Sequence, residues 1–452
     1  MGAMRSRLLS STLLCATLFV VSEAYAQSLT TGTSPPGVIA RTGGLAPWAQ
    51  FALAWGAALV ALCVAVIVRR SGGGGGPALS TSVRLQSNHM LPAIFQVLIF
   101  AYWALYWAPL LDHAWALGVQ LLFAYTLDLA IGVWTERTWR VGLAPVPIVL
   151  STNLFVWFTG SGFWLFFLVA AIALFSKAAL KRASGHIFNP SALGLALVGL
   201  VCIPLPAPEF CYDIAHELNV TPSMTEFLIL VALLAQLRVP IVLVSLGAAA
   251  SLWASVEVPI FLSRYLSING LETFSTYVPT WYWAPVFLVL ALLATDPKTI
   301  PKTPAGKLLF GLLLGGGIAI TSAALTAAGH NDFMAKVIPV PLVNLLVPWC
   351  DRVGERLDGR LRPALDPTWN WAHVCLWAAL SALALLSPGN KANLFERELH
   401  DMGLTRQIVR SGAQTSCEDN GAFCEAFSFA QELRLWVDRA PPDSPAPIDL
   451  GR

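Results

Sequence analysis

Apolar runs separated by short polar segments recur along the chain from residue 51 to residue 387. A helix that crosses the hydrocarbon core of a bilayer needs about 20 apolar residues, within a range of about 17 to 25. The pattern therefore predicts an all-α, polytopic membrane protein with about 12 transmembrane helices. The predicted spans are residues 51–68, 91–110, 114–133, 143–159, 162–179, 190–204, 224–237, 239–256, 281–294, 307–328, 335–350 and 370–387.

Several predicted spans are short or contain proline, notably 190–204, 224–237 and 281–294. Such helices are tolerated at membrane depth where they are buried in protein or line a cavity, and in transporters they mark the binding site. Spans two to six and seven to eleven also form two blocks of five. A repeated block with an odd number of spans is inverted relative to its copy, so the count predicts a ten-helix inverted-repeat core.

Charge agrees with the span pattern, because 12% of the residues are charged against about 25% in soluble domains. The net charge of +2 argues against a nucleic-acid partner, since the charges are sorted by membrane side rather than clustered. Threading the spans from an outer start leaves only Arg264 and Lys336 on the outer connections. The inner segments carry sixteen cations: Arg69, Arg70, Arg84, Arg137, Arg140, Lys177, Lys181, Arg182, Arg238, Lys298, Lys302, Lys307, Arg352, Arg356, Arg360 and Arg362. The positive-inside rule then predicts that both termini lie on the outer side of the membrane.

The regions outside the repeat core are predicted from composition. Arginines, an apolar stretch and an A-x-A-like site indicate a signal peptide, with an uncleaved first helix as the alternative. The predicted order is signal peptide 1–26, outer segment 27–49, extra transmembrane anchor 50–70, Gly-rich linker 71–90, membrane core 91–352, inner loop and last helix 353–387, and periplasmic tail 388–452. Docking of a partner protein and simple solvation both remain open for the tail.

Cysteine usage suggests disulfides rather than cofactor ligation. Cys417 and Cys424 lie in the predicted outer tail, where an oxidising compartment favours pairing, and Cys202 and Cys211 form a second candidate pair. No C-x-x-C or C-x-x-C-H segment occurs, so neither an iron–sulfur cluster nor a haem is expected from this chain alone. No metal site is predicted.

Two polar corners interrupt the apolar pattern on the predicted inner side. The first is Asn189 followed by Pro190, a favoured N-cap and a favoured first helical residue. The second is the run Thr295, Asp296 and Pro297, which joins spans nine and ten. A helix N-terminus offers free N–H donors and a partial positive charge, which suit an anionic or carbonyl-rich ligand. The corners are therefore predicted to share one ligand, and the alternative is that each is simply a well-formed helix end.

Three segments resemble the RnfD/NqrB family of membrane subunits. "SKAALKRASGHIFNPSALG" resembles its K-x(n)-G-x-x-FNPA segment, and "LLATDPKTIPKTPAGKLLFGLLLGGG" resembles its MATDP…G-(K/R)-x-x-(Y/F)-G-x-x-x-G segment. "IPVPLVNLLVPWCDR" resembles its closing helix, which ends N-L-(F/L)-x-P-x-(I/L)-D. The matches occur in the family's order, and the resemblance covers about residues 90–352.

The resemblance implies a ten-helix subunit of an ion-pumping redox complex, such as the Rnf and sodium-pumping NADH:quinone oxidoreductase assemblies, together with other membrane and peripheral redox subunits. It also implies a bacterial inner membrane, in which the predicted outer termini lie on the periplasmic side. Members hold flavin, typically an FMN joined to the Thr of an outer S-G-A-T motif and often riboflavin nearer the inner side. This chain departs from the motif, because the corresponding loop reads "CYDIAHELNVTPSMTEF" and keeps only Thr221 before a proline. We therefore expect a noncovalent flavin (riboflavin or FMN) between the inner corners, with Lys177 as its counter-charge, and covalent attachment at Thr221 as the less favoured reading.

Two functions remain open at this point. The first is a flavin-binding transmembrane electron-transfer subunit, and the second is a cofactor-free scaffold or transporter-like subunit that uses the same fold. Transport normally needs an ionisable residue inside a span, and Asp128 is the clear acidic candidate. Its functional interpretation is an ion or proton pathway, and the alternative is a carboxylate near the inner end of a helix.

Overall fold

The computed structural model of the chain is predominantly helical. It describes residues 46–71, 79–84, 87–107, 109–158, 160–182, 185–203, 211–212, 214–216, 218, 224–266, 274–275, 277–279, 281–330 and 332–385. Of these residues 79% are helical, and four helices are long and apolar enough to cross a membrane. The protein is thus an all-α, membrane-embedded protein.

The regular elements follow the apolar runs. In chain order, the α-helices of the described residues are α1 Pro47–Ser71, α2 Ser87–Tyr106, α3 Pro109–Asp112, α4 Ala114–Glu136, α5 Pro145–Phe155, α6 Trp164–Ala179, α7 Pro190–Cys202, α8 Met224–Arg238, α9 Val242–Leu266, α10 Ala284–Leu288, α11 Pro304–Ala327, α12 Pro339–Leu345, α13 Val347–Leu365 and α14 Asn370–Leu385. The strands are β1 Ser80–Arg84, β2 Thr138–Gly142, β3 Trp157–Phe158, β4 Lys181–Arg182, β5 Gly185–His186 and β6 Cys211–Tyr212. A π-helical turn, Val289–Leu293, continues α10.

A helix overlaps each of the twelve predicted spans, but the helices differ in length. The long apolar segments are Pro47–Arg70, Ala114–Glu136, Val242–Leu266 and Pro304–Ala327, and the others are shorter. Proline at the first or second position of α5, α7, α10 and α12 fixes where these short helices begin, because it lacks the N–H that a preceding turn would use. The count of twelve crossings and the inverted repeat remain predictions.

Two regions differ in detail from the sequence prediction. Residues 80–84, assigned to a flexible linker, form β1, which pairs in parallel with β2 from Ser80 opposite Thr138 to Arg84 opposite Gly142. The segment 353–365, assigned to an inner loop, lies within α13. Its leucines and arginines recur every three to four residues, and this spacing gives a two-sided helix with too much charge to count as an apolar run.

The helix outside the resemblance, α1, packs against α4 and α6 through polar contacts as well as apolar ones. The Gln50 amide donates to the carbonyl of Gly160 over 2.9 Å and accepts from the backbone N–H of Trp164 over 2.8 Å. The Trp55 indole donates to the Thr126 hydroxyl over 3.0 Å. Polar contacts at such depth fix the register of one helix against another, so the anchor is an integral part of the helical packing.

A disulfide joins Cys202, the last residue of α7, to Cys211 in β6. Cys211 lies opposite Phe158 in the antiparallel pair of β3 and β6. The second candidate pair of the sequence analysis is therefore confirmed. Cys417 and Cys424 lie outside the described residues, so their pairing stays a prediction.

We expect Cys202 and Cys211 to resist alkylation when the full-length protein is denatured without a reductant. Under the same conditions Cys63, Cys350 and Cys375, which are free thiols, should react completely. Peptide mapping by mass spectrometry after alkylation measures this, with a reduced sample as the control. Alkylation of both Cys202 and Cys211 before reduction would rule out the disulfide.

Candidate functional site

The first polar corner is a helix start that is tied to the second corner. Asn189 is the N-cap of α7: its side-chain oxygen accepts from the backbone N–H of Ala192 over 3.1 Å, and Pro190 follows at the start of the helix. Its amide nitrogen donates to the carbonyl of Leu293 over 2.8 Å. The Asn189 side chain therefore uses both of its polar atoms within the protein.

The second corner follows the π-helical turn that ends at Leu293. π-Helical turns are rare and concentrate at functional sites. Thr295 bonds back to the carbonyl of Ala291 over 2.9 Å, which closes the turn. Asp296 then leaves the helix, and one of its carboxylate oxygens accepts from the backbone N–H of Lys298 over 3.0 Å. The corner is thus a compact turn built around the Asp296 side chain.

His186 and Asp296 connect the two corners directly. The Nε2 atom of His186 lies 2.8 Å from a carboxylate oxygen of Asp296, across 110 residues of sequence. Burial disfavours the charge of the Asp296 carboxyl. Four favourable interactions outweigh this effect of burial: the hydrogen bond from His186, the charge of His186, the hydrogen bond from the Lys298 backbone N–H and the charge of Lys298. Together they hold the Asp296 pKa below its ordinary value. Asp296 is therefore an anion at neutral pH.

Asn344, in α12, joins the two corner segments through hydrogen bonds of its side chain. Its side-chain oxygen accepts from the backbone N–H of Asn189 over 3.1 Å, and its amide donates to the carbonyl of Thr299 over 3.0 Å. The side chain is fully buried. An unmade hydrogen bond at such a site costs about 1 to 3 kcal/mol, so Asn344 holds three chain segments in one arrangement.

A cavity of about 300 Å³ opens beside the joined corners. The β4–β5 hairpin contributes Gly185 and His186, the second corner contributes Lys298, and α6 contributes Lys177. Gly185 has φ of +135°, and its Cα faces the Lys298 side chain. A side chain at this position would be strained at that φ, so glycine allows the hairpin to turn at the edge of the cavity.

The cavity wall carries more positively charged side chains than negatively charged ones. Asp128 and Glu136 both lie on the wall, and Arg140 pairs with them over 3.3 and 3.1 Å. Lys177, Lys181 and Lys298 also line the cavity, and the described residues form no ion pair with their ammonium groups.

Within the described part of the chain, the wall therefore presents three ammonium groups that have no ion-pair partner. Basic side chains in this arrangement bind phosphate and other oxyanions.

The predicted cofactor residues have different positions. Lys177 lines the cavity, and Asp296 bonds to His186, which also lines it. Asn189, Pro190 and Thr295 are buried behind the wall and hold the corners in place. Pro297 is exposed, and Thr221 lies outside the described residues.

The predicted ion-pathway residue belongs to the same cavity. Asp128 lies on α4, eight residues before the helix ends at Glu136, and it pairs with Arg140 from β2. An ion pair of this kind is the ordinary arrangement of a carboxylate near a helix end. Asp128 thus shares one wall with Lys177, which sequence reasoning assigned to a separate role.

Two site residues were missed, although both lie in segments that carried the resemblance. His186 falls within "SGHIFNP" and Asn344 within "IPVPLVNLLVPW". Polar residues beside a proline-marked helix start were the available signal.

Comparison with known proteins gives no further identification. No family model matches the chain. No curated protein matches it either. Among the described residues, no group of three or more His, Cys, Asp or Glu side chains is arranged to hold a metal ion.

Proposed function

We propose that this chain is a flavin-binding electron-transfer subunit of a membrane redox complex of the RnfD/NqrB type. The observation that carries the proposal is the cationic cavity beside the joined corners. The sequence resemblance predicts a flavin at these corners, and the cavity opens beside them, with His186 and Lys298 on its wall. Flavin supplies one- and two-electron transfer, which side chains do not supply.

The lining residues fit a flavin with a phosphate. A volume of about 300 Å³ is at the lower end of the range of about 300 to 1,000 Å³ for small-molecule sites, which favours riboflavin or FMN over a dinucleotide. Lys177, Lys181 and Lys298 would hold the phosphate of FMN, and the His186 ring would meet a polar edge of the ligand. Asp296 fixes the orientation of that ring, and Asn189 with Asn344 fixes the backbone behind it.

Noncovalent binding is part of the proposal. The S-G-A-T motif that precedes the modified threonine in the family is missing before Thr221. A transferase that recognises this motif therefore has no substrate here. The affinity for flavin then depends on the charged side chains of the cavity wall.

We expect a Lys177→Gln substitution to weaken FMN binding about tenfold, because a charge-assisted hydrogen bond contributes about 1.5 to 3 kcal/mol and each 1.4 kcal/mol is a factor of ten. Riboflavin, which has no phosphate, should be affected much less. Equilibrium dialysis of the full-length protein against each flavin measures both affinities.

Lys302→Gln is the matched control, because Lys302 is exposed and outside the cavity wall. Equal losses for FMN and riboflavin would contradict a phosphate contact at Lys177. Absence of binding by the unmodified protein would contradict the flavin proposal itself.

A further inference from the structure

Helix α13 is amphipathic, with a row of arginines beside a row of leucines. Arg352 and Arg356 are four residues apart and exposed, and Leu357 follows them, with 37% of its surface exposed. In the sequence the same spacing continues at Arg360 and Leu361. A basic row beside an apolar row is typical of a helix that lies in the plane of a membrane surface.

The first turn of α13 is fixed to the start of α11. A carboxylate oxygen of Asp351 accepts from the backbone N–H groups of Lys302 and Thr303 over 2.7 and 3.1 Å. Gly354 lies against Gly306 so closely that a side chain at position 354 would collide with it. Asp351 and Gly354, one to two turns into α13, therefore lie at the level at which α11 starts.

The far end of α13 returns to the same level. Asn370, the first residue of α14, donates to the carbonyl of Gln236 over 3.0 Å, two residues before α8 ends. The Lys307 ammonium, at the start of α11, donates to the carbonyl of Pro240 over 2.7 Å, just after α8. The start of α11 and the end of α8 thus lie on one face of the protein. The part of α13 that follows Gly354 therefore begins and ends at that face, whereas Val347 and Cys350 near its start pack with Phe310 of α11 in a buried apolar cluster.

Exposed tryptophans flank both ends of this helix. Trp349 is 43% exposed in its first turn, and Trp369 and Trp371 are 50% and 59% exposed just after its last. Tryptophan concentrates at the boundary between lipid and water. The tryptophans are independent of the arginine spacing, and they also indicate that the ends of α13 lie at the boundary between lipid and water.

We propose that α13 reaches the membrane surface near Gly354 and continues there as an interfacial segment, where Arg352 and Arg356 bind the phosphate groups of anionic phospholipids. The described residues form no ion pair with either guanidinium, and only the Nε atom of Arg352 is used internally, in a bond to the carbonyl of Pro348. The Asp351 carboxylate, next to Arg352 in the chain, accepts from the backbone N–H groups of Lys302 and Thr303. Arginine offers planar donors that match phosphate oxygens, and anionic headgroups attract basic segments at the inner surface. The proposal does not depend on the proposed flavin.

The test is a lipid titration of the full-length protein in a zwitterionic detergent. Phosphatidylglycerol, added as mixed micelles, should raise the midpoint of thermal unfolding above the value reached with phosphatidylcholine. In an Arg352→Gln/Arg356→Gln variant, the phosphatidylglycerol concentration that gives half of this increment should rise at least tenfold, since each cation near an anionic surface contributes about fivefold. Rising ionic strength should weaken the increment in the unmodified protein.

Three controls keep the result specific. Arg264→Gln removes an exposed cation from α9 and should leave the titration unchanged, whereas Glu355→Gln removes a negative charge from α13 and should strengthen it. Inorganic phosphate alone should give no increment. A double variant with unchanged phosphatidylglycerol dependence would overturn the proposal, as would an equal effect of inorganic phosphate.

If the double variant does not fold, Arg352→Lys/Arg356→Lys replaces it. That variant should keep the dependence on ionic strength but need more lipid, and an unchanged titration would equally overturn the proposal.

Discussion

A Gly311→Ala substitution is expected to destabilise the protein by about 1 to 3 kcal/mol, although alanine normally stabilises a helix relative to glycine. A Cβ atom at position 311 would meet the backbone carbonyl of Val244 and lie 2.9 Å from the backbone nitrogen of Ala248. Both neighbours belong to α9, and backbone atoms cannot move aside as a flexible side chain can. Gly315, one turn later, meets the carbonyl of Ala248 in the same way. This G-x-x-x-G pair lets α9 and α11 approach closely.

Gly316→Ala is the matched control, because it lies on the same helix and its added Cβ would meet only the Ser251 hydroxyl at an acceptable 3.4 Å. This change should keep or slightly raise the midpoint of thermal unfolding, whereas Gly311→Ala should lower it sharply and reduce the monodisperse fraction on size-exclusion chromatography. Equal midpoints for the two variants would show that the close contact of α9 with α11 does not stabilise the fold.

An Asp296→Leu substitution is expected to remove at least about nine-tenths of the bound flavin. It deletes the hydrogen bond that orients His186 at the cavity and the cap that shapes the second corner. A charge-assisted bond of this kind contributes about 1.5 to 3 kcal/mol, which is about tenfold or more in affinity. The measurement is the ratio of flavin to protein after purification, read beside the thermal midpoint and the elution profile.

Asp296→Asn separates shape from charge, because its one side-chain oxygen still accepts from the Lys298 backbone N–H while an uncharged NH2 group takes the place of the oxygen that faces His186. It should keep more flavin than Asp296→Leu at a similar thermal midpoint. Asn189→Leu should also lose flavin, because it removes the N-cap of α7, with a typical cost of about 1 kcal/mol, and the bond to the Leu293 carbonyl. Full flavin retention by a correctly folded Asp296→Leu protein would exclude this site.

The positions of the helices were predictable from the sequence, because local apolar runs and prolines decide them. Pro190 after Asn189 marked the start of α7, and the N-cap bond to Ala192 is present in the structure. The adjacency of the two corners was also expected from their common side, and the bond from Asn189 to Leu293 joins them.

The partners within the site were not predictable in the same way. The contact of His186 with Asp296 spans 110 residues, and the bond of Asn189 with Asn344 spans 155. Such contacts depend on how helices pack, which a local pattern does not specify. The same limit explains why Lys177 and Asp128 were given separate roles although they line one cavity.

Helix α13 illustrates a further limit of reading hydropathy alone. A search for apolar runs favours segments that cross a bilayer, and it treats a charged segment as a loop. Asp351 and Gly354 determine that the segment packs as a helix against α11. Its arginine spacing was visible in the sequence, but its depth follows only from the contacts at its two ends.

The most direct test of the central claim is the visible absorption spectrum of the full-length protein, purified from membranes without added flavin. If flavin binds noncovalently in the cationic cavity, the protein should show a flavin spectrum that passes completely into the supernatant after acid precipitation, because no S-G-A-T motif precedes Thr221. Flavin that stays with the precipitate would contradict the noncovalent site. A protein without any flavin would contradict the proposed function and leave the cofactor-free scaffold as its role.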